Sequence, residues 1–345
     1  MFGTQGGAGQ GSGLAPRRRR AHGTAGLAGV GGAGGAVWQA WLYGGLLGLG
    51  ALAPFIGLYP VFVMTLLCFA VFACGFNLLL GFAGLLSFGH AAFFGSAAYV
   101  TGWLVKVRGW TPELGLAAGV VCAALLGLVI GALAIRRTGI YFAMITLALA
   151  QLVYFVCLQA PFTGGEDGLQ GVPRGQLFGV VPLASDLAMY YLVLMVFVLA
   201  FALIRRVVAS PFGQVLRAIR ENEARAVSLG YQVERYKLLA FVLSAALAGL
   251  GGGLKTLVLG FASLSDVHWS LSGEVVLMTL LGGLGTFAGP LVGAGVIVTL
   301  QNTLADRVGS WVTVLIGALF VLCVLLFRQG IIGSALTWLR RREAG

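Results

Sequence analysis

The sequence predicts an all-α integral membrane protein. Its mean hydropathy is +0.96, 59% of its residues are hydrophobic and only 10% are charged. Soluble domains carry charge on about a quarter of their residues. The apolar runs are long enough for helices of about 20 residues, the length that crosses a bilayer. They lack the alternation of the ~10-residue strands in outer-membrane barrels, so the spans are expected to be helical.

The candidate spans lie within residues 37–330, which we treat as one transmembrane domain. The apolar runs occupy residues 37–57, 61–80, 83–105, 114–135, 140–160, 187–204, 238–260, 273–304 and 310–327. They predict about nine to ten transmembrane segments, depending on whether 273–304 crosses the bilayer once.

The segments outside the spans differ in charge. Residues 1–36, mostly glycine, alanine and small polar residues around four arginines, are expected to be a disordered basic tail because they cannot bury a core. Cytoplasmic loops carry an excess of Lys and Arg. This rule places the 205–237 segment and the basic 331–345 tail in the cytoplasm, and the acidic 161–186 loop on the other side.

Two glycine-rich stretches resemble each other. Residues 79–89 (LLGFAGLLSFG) and 280–290 (LLGGLGTFAGP) share Leu-Leu-Gly, a nearby glycine, and a Ser or Thr followed by Phe. Paired glycine-interrupted segments in two halves of a membrane protein indicate an internal inverted repeat with discontinuous helices. We therefore expect 273–304 to be interrupted or re-entrant. Chance similarity among 55 glycines that serve close helix packing is the alternative.

Other functional classes do not fit the sequence. The net charge of +11 arises from basic residues at the ends of apolar runs, which indicates topology and not nucleic-acid binding. The G-x-G-x-x-G spacing in the N-terminal tail follows no predicted strand. GLGGGLKT (249–256) lacks the P-loop glycine before Lys-Thr, and Lys255 is expected to extend to the membrane interface.

Metal and enzyme chemistry are equally unsupported. The five cysteines include no C-x-x-C and form no cluster with histidine, so free thiols, no metal and no cofactor are expected. His22, His90 and His268 are dispersed, and no nucleophile with a base or carboxylate pair is evident.

A few polar side chains within or beside the apolar runs are candidates for a translocation pathway, because polar groups in a bilayer are costly. They are Asn77, Ser87, His90, Gln151 and Glu274. Hydrogen bonding between helices is the alternative for Asn77 and His90, and a place at the aqueous interface is the alternative for Glu274. The lack of a chain of buried carboxylates argues against a proton-coupled carrier.

Ten of the charged residues fall in the 205–237 segment. Within it, SPFGQVLRAIRENEARAVSLGY (210–231) predicts one amphipathic helix that starts at Ser210 and Pro211 and ends at Gly230. Its apolar stripe is expected to contain residues three or four apart, namely Leu216, Ile219, Glu223 and Val227. Arg217, Glu221 and Arg225 form an i, i+4 series on another face.

Four stretches together carry a family resemblance. They are residues 77–99 (NLLLGFAGLLSFGHAAFFGSAAY), 163–173 (TGGEDGLQGVP), 216–254 (LRAIRENEARAVSLGYQVERYKLLAFVLSAALAGLGGGL) and 280–294 (LLGGLGTFAGPLVGA). In this order they resemble the LivM-type permeases of branched-chain amino-acid ABC importers. The resemblance implies a multi-pass permease subunit of the bacterial inner membrane that is not itself an enzyme.

The resemblance also implies partners and a solute. The partners are a LivH-like permease, two cytoplasmic ATPase subunits that hydrolyse ATP, a periplasmic solute-binding protein and membrane lipid, with no nucleic acid. Branched-chain or related small amino acids are the expected solute. Two alternatives stay open: the same importer class carrying urea or a small amide, and a secondary, ion-coupled transporter.

Two sets of contact residues follow from the resemblance. The 210–231 helix resembles the segment that couples such permeases to the ATPase, which assigns this role to Leu216, Arg217, Ile219, Arg220, Glu221, Glu223 and Gly230. Glu223 lies one place from the position of the glutamate in the wider Glu-Ala-Ala motif. The outer loop, with Glu166 and Asp167, is either an irregular connector or the docking surface for the binding protein.

Overall fold

The computed structural model describes residues 59–179 and 181–308, with residues 314, 317, 318, 321 and 330–332. The predicted tail 1–36, the span 37–57, and most of 310–327 and 331–345 lie outside these residues.

The described chain is nearly all helical. Its α-helices are α1 (Pro60–Asn77), α2 (His90–Val107), α3 (Pro112–Ala134), α4 (Ile140–Gln159), α5 (Asp186–Ala209), α6 (Pro211–Glu221), α7 (Glu223–Ser228), α8 (Val233–Leu259), α9 (Trp269–Gly282) and α10 (Gly289–Val308). A π-helical segment, Leu78–Ala83, extends α1. Three 3₁₀ turns, Pro161–Thr163, Gly165–Asp167 and Leu264–Asp266, and an antiparallel hairpin of β1 (Gln176–Leu177) and β2 (Val181–Pro182) lie in the loops.

Five helices are long and apolar enough to cross a membrane: Pro60–Ala83, α3, α4, α5 and α8. Helix α9 is apolar but shorter. Helices α4 and α5 expose large apolar side chains such as Met144, Phe155 and Leu199 on their outer faces. Outward apolar side chains are what a lipid environment requires. The fold is therefore that of an all-α membrane protein.

Helix α8 is central to the bundle and packs against α1, α2 and α3. Its glycines at 249 and 251–253 lie where these neighbours approach most closely; a Cβ on Gly251 would lie 2.8 Å from the carbonyl oxygen of Cys68. The GLGGGL stretch is thus a helix-packing surface, as small residues in membrane helices commonly are. Helices α9 and α10 pack together and against α1.

Two predicted spans have different bounds in the structure. In the apolar run 83–105, residues 84–89 are not helical and the helix begins only at His90. The preceding helix cannot continue through Gly84, because this residue adopts a φ of +73°. The run 273–304 is interrupted, as the glycine pattern predicts: α9 ends at Gly282 and α10 begins at Gly289.

The expectation that Lys255 extends to the membrane interface is wrong. Its ammonium group lies 2.6 and 2.7 Å from the two carboxylate oxygens of Asp266, and both side chains are buried. The linker between α8 and α9 folds back over the end of α8, where its Asp266 and Phe261 contact Lys255. The outer loop packs on this linker, since Leu169 and Ala262 exchange two backbone hydrogen bonds of 2.9 Å.

Candidate functional site

The first glycine-rich stretch ends its helix in a π-turn. The N–H groups of Gly84 and Leu85 both bond to the carbonyl of Leu79, the second at 3.2 Å. Residues 84–89 then lead to His90 at the start of α2. We call residues 77–89, from the N-cap of the π-turn to the start of α2, the first break. Single π-turns in α-helices are frequent at functional sites. Gly84, at a φ of +73°, holds a conformation that favours glycine.

The second glycine-rich stretch forms a similar interruption between α9 and α10. Residues 283–288 make this second break, in which Gly285 has a φ of +72°. Thr286 Oγ1 accepts from the N–H of Gly289 at 3.1 Å, and Ser87 Oγ accepts from the N–H of Gly89 at 3.2 Å. In both breaks, therefore, the hydroxyl that precedes Phe bonds to the backbone where the next helix starts.

One buried amide joins the two breaks. Asn77 Nδ2 donates to the carbonyl of Thr286 at 2.9 Å, and Asn77 Oδ1 accepts from the N–H of Gly285 at 3.1 Å. Gly81 permits this approach, since a Cβ there would lie 2.7 Å from the backbone nitrogen of Gly285. The rings of Phe82 and Phe287 add a contact at 5.7 Å. The structure thus brings residues about 200 positions apart into one site.

His90 lies at the start of α2 and is fully buried. Its Nδ1 is 3.1 Å from Ser87 Oγ and its Nε2 is 2.9 Å from Ser244 Oγ, which donates to the carbonyl of Gly75. The ring is also packed edge-on against Phe76, among other aromatic side chains. These bonds tie the first break to α8 and α1.

The other two pathway candidates are closer to the surface. Glu274, on the first turns of α9, is half-buried and accepts a 3.0 Å hydrogen bond from Gln301 of α10. Gln151, in the middle of α4, is also half-buried. Ser272, one turn before Val276 on α9, accepts from the N–H of Ala91 at 2.9 Å and so links α9 to the start of α2.

The charged segment folds as two short helices, so the prediction of one helix over 210–230 is wrong. Asn222 is extended, with φ −157° and ψ 97°, and its side chain accepts from the N–H of Arg225 at 3.0 Å. Asparagine competes with helical hydrogen bonds in this way. The predicted ends are correct: Pro211 is the first residue of α6, and Gly230 has a φ of +87°.

The interruption also changes which side chains are buried. Leu216 and Ile219 are buried as predicted, but beyond Asn222 the buried residue is Ala226, whereas Val227 is exposed. Ile219, Ala226 and Val233 form a small core of their own. We call α6 and α7 together the α6–α7 module.

Several charged residues of this module have defined places. Glu223, predicted within the apolar stripe, forms an ion pair with the buried Lys237 of α8, in which Lys237 Nζ lies 2.6 Å from Glu223 Oε1. Glu221 is exposed at the end of α6. The guanidinium of Arg217 lies 5.4 Å from the centre of the Phe82 ring, and Arg220 Nη1 donates to the carbonyl of Gly81. The module therefore contacts the first break directly.

The outer loop presents its acidic pair to solvent. Glu166 and Asp167 are exposed on a 3₁₀ turn, while Leu169 and Val172 beside them are buried. The loop is ordered by the bonds to the linker and by the 2.6 Å ion pair of Arg174 with Asp186. Among the described residues no group of three His, Cys, Asp or Glu side chains could hold a metal ion.

A family model described as a branched-chain amino acid transport system permease component matches residues 60–324. The chain belongs to this family. It is 28% identical over 318 residues to LivM, the high-affinity branched-chain amino acid transport system permease of Escherichia coli K12, which covers 83% of this chain and 73% of that protein. LivM of Salmonella typhimurium is 29% identical over 302 residues, covering 80% and 70%.

A more distant relative carries a different name. The autoinducer 2 import system permease LsrC of Klebsiella pneumoniae is 30% identical over 177 residues, which cover 48% of this chain and 49% of that protein. No solved structure matches the chain.

Family membership makes this multi-pass membrane chain a permease subunit of an ABC importer and not an enzyme in its own right. Its α6–α7 module and its two joined breaks are the features on which a permease mechanism can be built. Sequence reasoning missed Ser244, Ser272 and Gln301 as partners of the polar candidates, because a lone hydroxyl or amide in an apolar run gives no signal of its distant partner.

Proposed function

We propose that this chain is the LivM-like subunit of an importer for branched-chain or related small amino acids in the bacterial inner membrane. It pairs with a LivH-like permease, two cytoplasmic ATPase subunits hydrolyse ATP, and a periplasmic binding protein delivers the solute. The two LivM relatives, named for branched-chain amino acid transport, support this solute.

The observation that carries the proposal is the α6–α7 module. Arg217 and Arg220 of the module contact the first break. Val227 and, directly after α7, Leu229 and Tyr231 form an apolar patch, with exposed fractions of 57%, 69% and 41%. Such patches outside the spanning helices mark sites of protein contact. We assign the patch, with Glu221 and the turn at Gly230, to the ATPase surface.

Leu229→Asp should reduce the amount of ATPase subunit that copurifies with the permease by about tenfold or more, which is the scale of a buried apolar anchor at an interface. Gln214→Ser is the matched control, because Gln214 is exposed on the first turn of α6. Copurification from detergent-solubilised membranes measures both. Normal ATPase recovery with Leu229→Asp would place the docking surface elsewhere.

Uptake of labelled compounds into cells identifies the solute. Cells that lack their own branched-chain importers should take up labelled leucine when this chain and its partner subunits are expressed, and uptake should need the ATPase subunits. Labelled urea and autoinducer 2 are tested in parallel, the second because of the LsrC relative. Uptake of either without leucine would reject the amino-acid assignment, and leucine uptake without ATPase would indicate an ion-coupled carrier.

The pathway candidates divide into two groups in this proposal. Asn77, Ser87 and His90 position the breaks, since their polar atoms are already bonded within the chain. Glu274 and Gln151, which are half-buried, line the route. The helix ends at the breaks add backbone dipoles that suit a zwitterion. In the same leucine assay, Glu274→Gln should lower uptake while the subunits still assemble.

The proposed topology has nine to ten spans, counting residues 37–57 and 310–327 and either one or two passes for α9 and α10. Residues 205–237 and 331–345 face the cytoplasm and 161–186 face the periplasm, where Glu166 and Asp167 meet the binding protein. In a background without native cysteines, Glu166→Cys should react with an impermeant thiol reagent in intact cells, and Arg341→Cys only after permeabilisation. Labelling of position 341 from outside would show that α9 and α10 together cross the bilayer only once.

A further inference from the structure

Arg220 is an exposed residue of α6, yet its side chain also contacts the glycine-rich turns of the membrane helices. It donates from Nη1 to the carbonyl of Gly81. A Cβ on Gly84 would lie 2.9 Å from Arg220 Cγ, and one on Gly285 would lie 3.5 Å from Arg220 Nη1. Three glycines from the two breaks therefore leave the space that this side chain occupies.

The carbonyl that Arg220 bonds belongs to the last turn of the π-segment. The N–H groups that follow this turn, at Gly84 and Leu85, both bond to Leu79. The carbonyls at a helix end need other partners, and a cation there is also favoured by the helix dipole. The sequence that shifts the backbone into a π-turn thus directs the Gly81 carbonyl to a cation from α6.

The connection continues from the first break to the second. Asn77, one turn before Gly81, bonds both Gly285 and Thr286. Arg217, one turn before Arg220 on α6, lies over Phe82, whose ring contacts Phe287. Two parallel sets of contacts therefore connect α6 to both breaks.

We propose that Arg220 is a positioning residue that transmits movement of the α6–α7 module to the two breaks, and does not itself contact the ATPase. The proposal rests on the coupling role assigned to this module above. A hydrogen bond to a carbonyl in a π-turn suits this role, because single π-turns in α-helices are frequent at functional sites. Closure of the ATPase then changes the two helix ends together.

The test compares Arg220→Gln and Arg220→Lys with Arg137→Gln as the matched control, since Arg137 is an exposed arginine between α3 and α4. Each complex, assembled with its partner subunits, is purified and reconstituted in liposomes with the binding protein. Copurified ATPase, thermal stability, leucine uptake and ATP hydrolysis are measured. We expect Arg220→Gln to keep its ATPase and thermal stability and to lose about tenfold or more in leucine taken up per ATP hydrolysed, the scale of one hydrogen bond to a charged group.

Arg220→Lys should fall between Arg220→Gln and the wild type, because lysine can still donate to the Gly81 carbonyl but lacks the planar fork. The proposal would be overturned if Arg220→Gln took up as much leucine per ATP hydrolysed as Arg137→Gln does. A loss of uptake in proportion to lost ATPase would also overturn it, because it would mean that Arg220 supports docking. If Arg220→Gln fails to assemble, the same two criteria apply to Arg220→Lys. If Leu229→Asp has no effect on ATPase recovery, the coupling role itself is wrong, whereas a normal Arg220→Gln beside a defective Leu229→Asp rejects only the transmission step.

Discussion

Gly252→Leu should prevent accumulation of folded protein, and Gly252→Ala should already destabilise it, although both residues favour a helix more than glycine does. Gly252 lies in the middle of α8, where the backbone of α2 crosses it. A Cβ on Gly252 would lie 2.7 Å from the carbonyl carbon of Phe94 and 3.1 Å from its Cα. These are backbone atoms, which cannot move aside as the end of a side chain can.

The expected loss for Gly252→Ala is about 1–3 kcal/mol, the usual result of adding a carbon atom to a well-packed core. Gly273→Ala is the control, because Gly273 lies in α9 and a Cβ there would meet nothing within 4 Å. That variant should be unchanged or slightly more stable. The apparent melting temperature of protein extracted from membranes in mild detergent compares the two. Equal melting temperatures would show that α2 and α8 are not in close contact at this position.

Sequence patterns predicted the helices well, because a membrane span requires an apolar run of definite length. They also located both breaks, since the repeated Leu-Leu-Gly and Ser/Thr-Phe motifs signal local backbone conformations that few residues other than glycine adopt. Hydropathy could not fix where α2 begins, however. Residues 84–89 are as apolar as the helix that follows them, and the π-turn that ends the preceding helix has no signature in composition.

The amphipathic segment shows a second limit. The helical pattern was correct as far as Ile219, but the extended backbone of Asn222 shifted the burial pattern from Val227 to Ala226. A single asparagine inside a charged run does not reveal whether its side chain will interrupt the helix. The contact of Glu223 with Lys237 also could not be predicted from i, i+4 spacing, because these residues belong to different helices.

The joined breaks depend on pairs that are far apart in sequence. Asn77 and Gly285 are separated by 208 residues, and Arg220 and Gly81 by 139. In one sequence nothing ties such residues together, so Arg220 was grouped with its helical neighbours as an ATPase contact. Only the packed chain shows that its guanidinium bonds the carbonyl of Gly81.

Lys255→Met should lower the free energy of unfolding by about 3–5 kcal/mol, because it leaves the Asp266 carboxylate buried without its countercharge. The two side chains are 8% and 7% exposed. The ammonium of Lys255 also lies 4.8 Å from the centre of the Phe261 ring. Asp266 accepts in addition from the backbone N–H and hydroxyl of Ser263, at 3.1 and 3.2 Å, so the ion pair holds the whole linker between α8 and α9 against α8.

The double variant Lys255→Met with Asp266→Asn distinguishes the effect of charge on stability from the effect of side-chain shape. The amide can still accept from Ser263, and no charge remains buried, so most of the lost stability should return; a neutral replacement of a buried pair is often close to neutral in free energy. Asp186→Asn, which breaks the partly exposed pair with Arg174, is the control and should cost at most about 1 kcal/mol. Apparent melting temperatures of the wild type, Lys255→Met, Asp266→Asn and the double variant measure the coupling between Lys255 and Asp266. A double variant no more stable than Lys255→Met alone would show that the linker depends on the length of the lysine side chain and not on charge balance.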